Sequence, residues 1–137
     1  MNWRRIAVGT VVLGIVGNAI DWVLNTYVLK NMYAAMADIM NPSPNMVWYV
    51  VGDVAAAFML MLAWDMVGSK FGPGPGAGAK FGAAAGLFIT FPMFLFWQIQ
   101  LRGMPYSTAW MMIGVVTVWY AVLGAIAAML DRKTATG

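Results

Sequence analysis

Two aspartates stand where a membrane-spanning sequence ordinarily carries no charge. Asp21 follows the apolar run Ile6 to Ile20, and Asp53 precedes the run Val54 to Trp64. A carboxylate in hydrocarbon costs roughly 2.5–3.5 kcal/mol on insertion scales, and an acid kept there is functional by default. Gly14, Asn18, Asp21 and Asn25 recur at helical spacing and share one face. Two such carboxylates can share a proton, hold Na⁺, or bind an organic cation and exchange it for protons. Plainer roles compete with these. Either acid could pair with Lys30 or Arg102, cap broken backbone, or join two helices by a hydrogen bond when protonated.

A second group of residues points to softer chemistry. The chain has 13 methionines, and Met32, Met36 and Met40 recur every fourth residue. Soft thioethers select Cu(I) or Ag(I), and Met46 and Met104 belong to the same side of the chain. The plainer role is adaptable apolar packing. Met59, Met61, Met93, Met111 and Met112, spread through the apolar runs, speak for it. Gln98, Gln100 and Arg102 read as interfacial polar groups. With no cysteine and no histidine, disulfides, thiol chemistry, histidine-ligated haem and histidine proton shuttles are excluded. No nucleophile–base pair, HExxH or Rossmann fingerprint is present. Neither an enzyme nor a cofactor is expected.

The elements that must hold these residues are membrane helices. Of 137 residues, 62% are hydrophobic and 9% charged, which is membrane-protein composition. Four apolar spans cover about residues 5–27, 45–67, 79–101 and 106–130, each near the ~20 residues that cross a bilayer. They leave no room for a soluble domain. The expected fold is all-α: one integral membrane four-helix bundle over residues 1–137. Arg4 and Arg5 before an apolar run, with Gly17-Asn18-Ala19 beyond it, also resemble a secretory leader; the segment is read as a retained first helix.

Topology follows from the basic residues. Arg4, Arg5, Lys70, Lys80, Arg132 and Lys133 fall on the side of the termini, and only Lys30 and Arg102 on the other. The positive-inside rule puts both termini in the cytoplasm, here of a bacterial-type inner membrane. The pI near 9.5 then reflects topology, and no nucleic-acid partner is expected. Counting 1.5 Å per residue from the outer ends of spans 1 and 2 sets both aspartates roughly 10 Å deep. Trp3, Tyr27, Trp48, Trp64, Trp97, Tyr106 and Trp110 lie near span ends, as an aromatic belt requires.

Small residues mark helix contacts. Span 3 carries Gly78, Gly82, Gly86 and Thr90, and span 4 carries Gly114, Thr117, Ala121, Gly124 and Ala128. With Gly14 in span 1, these predict close backbone approach. Trp48-x3-Gly52 and Trp110-x3-Gly114 open spans 2 and 4, as two parallel-repeat hairpins would. The Gly- and Pro-rich stretch 71–80 reads as a flexible connection. In the long connection 28–45, Met32 to Met40 reads as a short interfacial helix, ended by Asn41-Pro42-Ser43-Pro44-Asn45. Pro92 is expected to kink span 3.

Two resemblances complete the picture. Met1-Asn2-Trp3, the long outer connection, the Gly-rich start of span 3 and Gly124-Ala125-Ile126 resemble small uncharacterised bacterial inner-membrane proteins of the domain-of-unknown-function kind, which implies no activity. Ala19-Ile20-Asp21-Trp22 through Leu29-Lys30 is similar to the first helix of small multidrug resistance transporters. That resemblance implies that Asp21 is a shared proton and substrate site. Here Asp stands for the usual Glu, the outer connection is longer, and Asp53 is an additional acid. The sequence therefore leaves two functions open. One is proton- or cation-coupled transport or permeation through Asp21 and Asp53. The other is a non-catalytic accessory subunit of a larger membrane complex. Either implies the lipid bilayer and further protein, a second copy or a complex, as partners.

Overall fold

The computed structural model describes residues 1–135, with side chains as far as Asp131. The side chains of Arg132 and Lys133, used in the charge bias, lie outside the described part. The elements are α1 (Trp3–Val23), α2 (Lys30–Ala35), α3 (Met46–Val67), α4 (Pro75–Gln100) and α5 (Tyr106–Ala135). Four stretches, Trp3–Val28, Met46–Phe71, Pro75–Gln100 and Tyr106–Asp131, are long and apolar enough to cross a membrane.

Local chemistry sets the helix ends. The Arg5 amide donates to Asn2 Oδ1 at 3.1 Å, starting α1, and the Val47 amide donates to Asn45 Oδ1 at 3.0 Å, starting α3. Past Val23 the helix widens into a π turn over Leu24–Val28, and the short α2 follows. The interfacial helix is thus shorter than the methionine spacing implied. It ends at Ala35, and residues 36–40 are turns. The flexible connection expected over 71–80 is shorter too. Gly74, at φ 97°, turns the chain, and Pro75 begins α4, so Gly76, Gly78 and Lys80 are helical. α4 runs unbroken through Pro92 to Gln100.

The bundle consists of two tight antiparallel hairpins, α1 with α3 and α4 with α5, joined mainly through α1 against α5. The α4–α5 seam is glycine against backbone. A Cβ on Gly78 would collide with the Gly124 carbonyl, one on Gly82 with the Tyr120 carbonyl, and one on Gly86 would lie 3.0 Å from Thr117 Cα. The two small-residue stripes therefore face each other, and contact between backbones supplies the dispersion that lipid does not. Gly114 departs from its stripe: it is exposed, and nothing lies within 4 Å of a Cβ there. Gly52 is equally open, so the glycines of both Trp-x3-Gly motifs point away from the bundle. Ile6, Leu13, Ala57, Leu60, Met61, Trp64, Phe81, Trp119 and Leu123 form the core where the hairpins meet.

Candidate functional site

The α1–α3 seam decides where the two acids meet. Gly14 packs on Val54, with a Cβ there 3.3 Å from Val54 Cγ2, and Gly9 packs on the Met61 side chain. This antiparallel register sets Asp53 level with about residue 16 of α1, roughly 7 Å deeper than Asp21. The equal depth expected from counting along the spans is thereby corrected. Side chains tilt toward the N-terminus of their own helix. On antiparallel neighbours that tilt brings the Asp21 and Asp53 carboxyls toward each other across the offset.

Both acids line one cavity of about 310 Å³. Tyr33, Phe94, Trp119 and Tyr120 give it aromatic walls, and Thr90 and Met112 complete the part that matters here. Thr90 is buried, and its hydroxyl donates to the Gly86 carbonyl at 2.7 Å. Trp119 is held against α1: its Nε1 donates to the Gly17 carbonyl at 3.4 Å, and its ring covers Gly17. Asp53 Oδ2 is buried with no hydrogen-bond partner. Among the described residues no ion pair involves Asp21 or Asp53. The pairing with Lys30 or Arg102 considered from sequence is absent there.

Asn18 and Asn25 keep the face they share with Asp21 but do not line the cavity that holds Asp53. Each amide donates to its own helix, Asn18 Nδ2 to the Gly14 carbonyl and Asn25 Nδ2 to the Asp21 carbonyl, both at 2.8 Å. They line a second, wider space of about 700 Å³ together with Asp21, Tyr33 and the 40–50 segment. Asp21 and Tyr33 border both spaces. The two spaces therefore adjoin at Asp21 and Tyr33, on the α2 side of the bundle. Tyr33 stands at their shared border. Burial first, and then the nearby Asp21 carboxylate and Tyr49, push its hydroxyl up to about 12.

The opposite end carries a cluster that the sequence reading overlooked. The Arg5 guanidinium bonds Asp65 through Nη2 and Asp131 through Nη1, tying α1, α3 and α5 together. The Asp65 side chain is only 4% exposed. A signal was present: topology sets the start of span 1 beside the ends of spans 2 and 4, where one arginine meets two acids. Met32, Met36 and Met40 are also brought together, lining a third cavity with Met104 and Met112. Gln98 has a specific role as well, its Nε2 donating to the Met104 carbonyl at 2.9 Å.

Four apolar helices in an all-α bundle define a multi-pass membrane protein. Compared with known protein families, curated proteins and solved structures, the chain matches none of them.

Proposed function

We propose that this protein binds a cation in the Asp21–Asp53 cavity and exchanges it for protons, as a small coupled transporter or permeation unit. One observation carries the reading: two carboxylates with no ion-pair partner among the described residues share one aromatic-walled cavity, beside a wider space toward the α2 end. The carboxylates supply the negative charge and the exchangeable proton. Among the lining side chains, Tyr33, Phe94, Trp119 and Tyr120 are aromatic groups of the kind that attract an organic cation. The Arg5–Asp65–Asp131 cluster ties the far end of the bundle together, and the acid cavity adjoins the wider space on the α2 side. In the topology proposed from the basic residues, that side faces out of a bacterial-type plasma membrane and both termini lie in the cytoplasm. A second copy of the chain would complete the path, since four helices enclose little space of their own.

A second reading, an accessory subunit of a larger membrane complex, draws on one exposed face of α3, where Trp48, Met59 and Met66 stand outward. Proton release separates the two. Na⁺ or tetraethylammonium added to weakly buffered, detergent-solubilised protein should release protons from the wild type. It should release none from the Asp21→Asn, Asp53→Asn double variant. No release from the wild type, or equal release from the variant, refutes the transport reading.

A further inference from the structure

Five methionines from separate parts of the chain converge on one place. Met32 comes from α2, Met36 and Met40 from the turns after it, Met104 from the α4–α5 connection and Met112 from α5. Together they line a cavity of about 370 Å³. They are five of its eleven lining residues, in a chain where 13 of 137 residues are methionine. Met32 and Met104 are 7% and 6% exposed, so their sulfurs belong to the interior. Nothing about sequence distance brings residue 104 or 112 to residue 32. Only the folded bundle does.

We propose that this cavity is a thioether site for a soft monovalent cation, Cu(I) or Ag(I). A methionine sulfur is uncharged and polarizable, a ligand that suits soft d¹⁰ ions and gives hard cations little. A monovalent ion is also the least costly to desolvate in such a setting. The remaining lining residues offer no anionic competitor. Ile39, Phe94, Trp97 and Leu101 are apolar, and Tyr33 and Thr108 contribute only hydroxyls.

The site also has a support that simple core filling would not require. Met104 lies in a connection, where a side chain is ordinarily free to wander. The hydrogen bond from Gln98 Nε2 to the Met104 carbonyl pins that backbone across six residues. Thr108 and Ala109 begin α5 as buried residues immediately behind it. The Met104 backbone is thereby fixed beside a cavity that Met32 of α2 also lines, and a coordination shell needs that kind of preorganisation. Had the cavity only to be filled, leucine would serve as well and at lower entropic cost. The inference is independent of the carboxylate reading, because neither Asp21 nor Asp53 lines this cavity.

The test titrates the full chain in detergent with Cu(I) under anaerobic conditions against a chromophoric Cu(I) chelator, with Ag(I) as a redox-inert probe. The wild type should take up about one equivalent in competition with the chelator. The Met32→Leu, Met36→Leu, Met104→Leu variant should bind at least tenfold more weakly. The control variant Met59→Leu, Met66→Leu, with both methionines exposed on α3, should bind as the wild type does, and so should the Asp21→Asn, Asp53→Asn variant. X-ray absorption of the copper-loaded wild type should show sulfur around the metal. If the triple variant does not fold, as judged by circular dichroism and gel filtration, Met36→Leu and Met104→Leu alone should each weaken binding several-fold. Failure to compete with the chelator, wild-type affinity in the leucine variants, an equal loss in the α3 control, or a first shell of nitrogen and oxygen alone would each overturn the proposal.

Discussion

Replacing Gly124 with alanine should force α4 and α5 apart, and the size of the effect follows from the seam. The added carbon would collide with the Gly78 carbonyl and lie 2.9 Å from both Cα and N of Gly82. Ordinary contact begins near 3.4 Å, so the backbones must part by about 0.5 Å at Gly82 and further at Gly78. These are backbone atoms on two long helices and cannot rotate away. A gap of ~0.5–1 Å forfeits a quarter to a half of each dispersion contact along the seam. Overpacking of this kind costs roughly 1–3 kcal/mol. Gly114→Ala is the matched control, on the same helix but with nothing within 4 Å of its Cβ. Any gain in helix propensity is common to both variants and cancels in the comparison. Thermal unfolding in detergent micelles, followed by circular dichroism, should place Gly124→Ala roughly 5–10 °C below Gly114→Ala. Equal melting temperatures would refute the claim that α4 and α5 meet through glycine backbone.

Two further consequences can be measured. Arg5→Gln leaves the buried Asp65 only the Met1 ammonium at 3.9 Å and the Asn2 amide at 3.2 Å, and should destabilise the bundle by roughly 1–3 kcal/mol. Adding Asp65→Asn should recover part of that loss, and a double variant no more stable than Arg5→Gln would count against the cluster. Tyr33 is neutral in the fold up to about 12, whereas an unfolded tyrosine ionises near pH ~10. Its contribution to stability is therefore full below pH ~10 and is lost as pH climbs toward about 12. Tyr33→Phe should flatten that part of the stability–pH curve, and an unchanged curve would show that the hydroxyl is not desolvated.

Much of this architecture could be read from residue types. Length and hydropathy yield the helices because only long apolar segments satisfy their backbone in lipid. The glycine stripes of α4 and α5 could be read because close packing in lipid needs small residues at every fourth position. Gly114 shows where that reading stops. It continues the stripe in sequence, yet the 3.6-residue helix turns it off the seam. The depth of Asp53 shows another limit, since counting from span ends assumes a register that Gly9–Met61 and Gly14–Val54 contacts decide. Arg5 with Asp65 and Asp131 is a third case, where topology was sufficient but the end charges were read only as an orientation signal.

By itself the sequence determined an all-α membrane chain with two acids in its apolar runs and a stock of methionines. Those are properties of local composition, which hydrocarbon tests residue by residue. The tertiary structure decided which faces meet. It set Asp21 and Asp53 on one cavity, left Asn18 and Asn25 to an adjoining space with Asp21, and gathered Met104 and Met112 to the methionines of the α2 segment. The physical reason lies in the helices themselves. One that is apolar around most of its girth carries little record of which side faces lipid and which faces protein. That choice is made only when two backbones come close enough to exclude lipid.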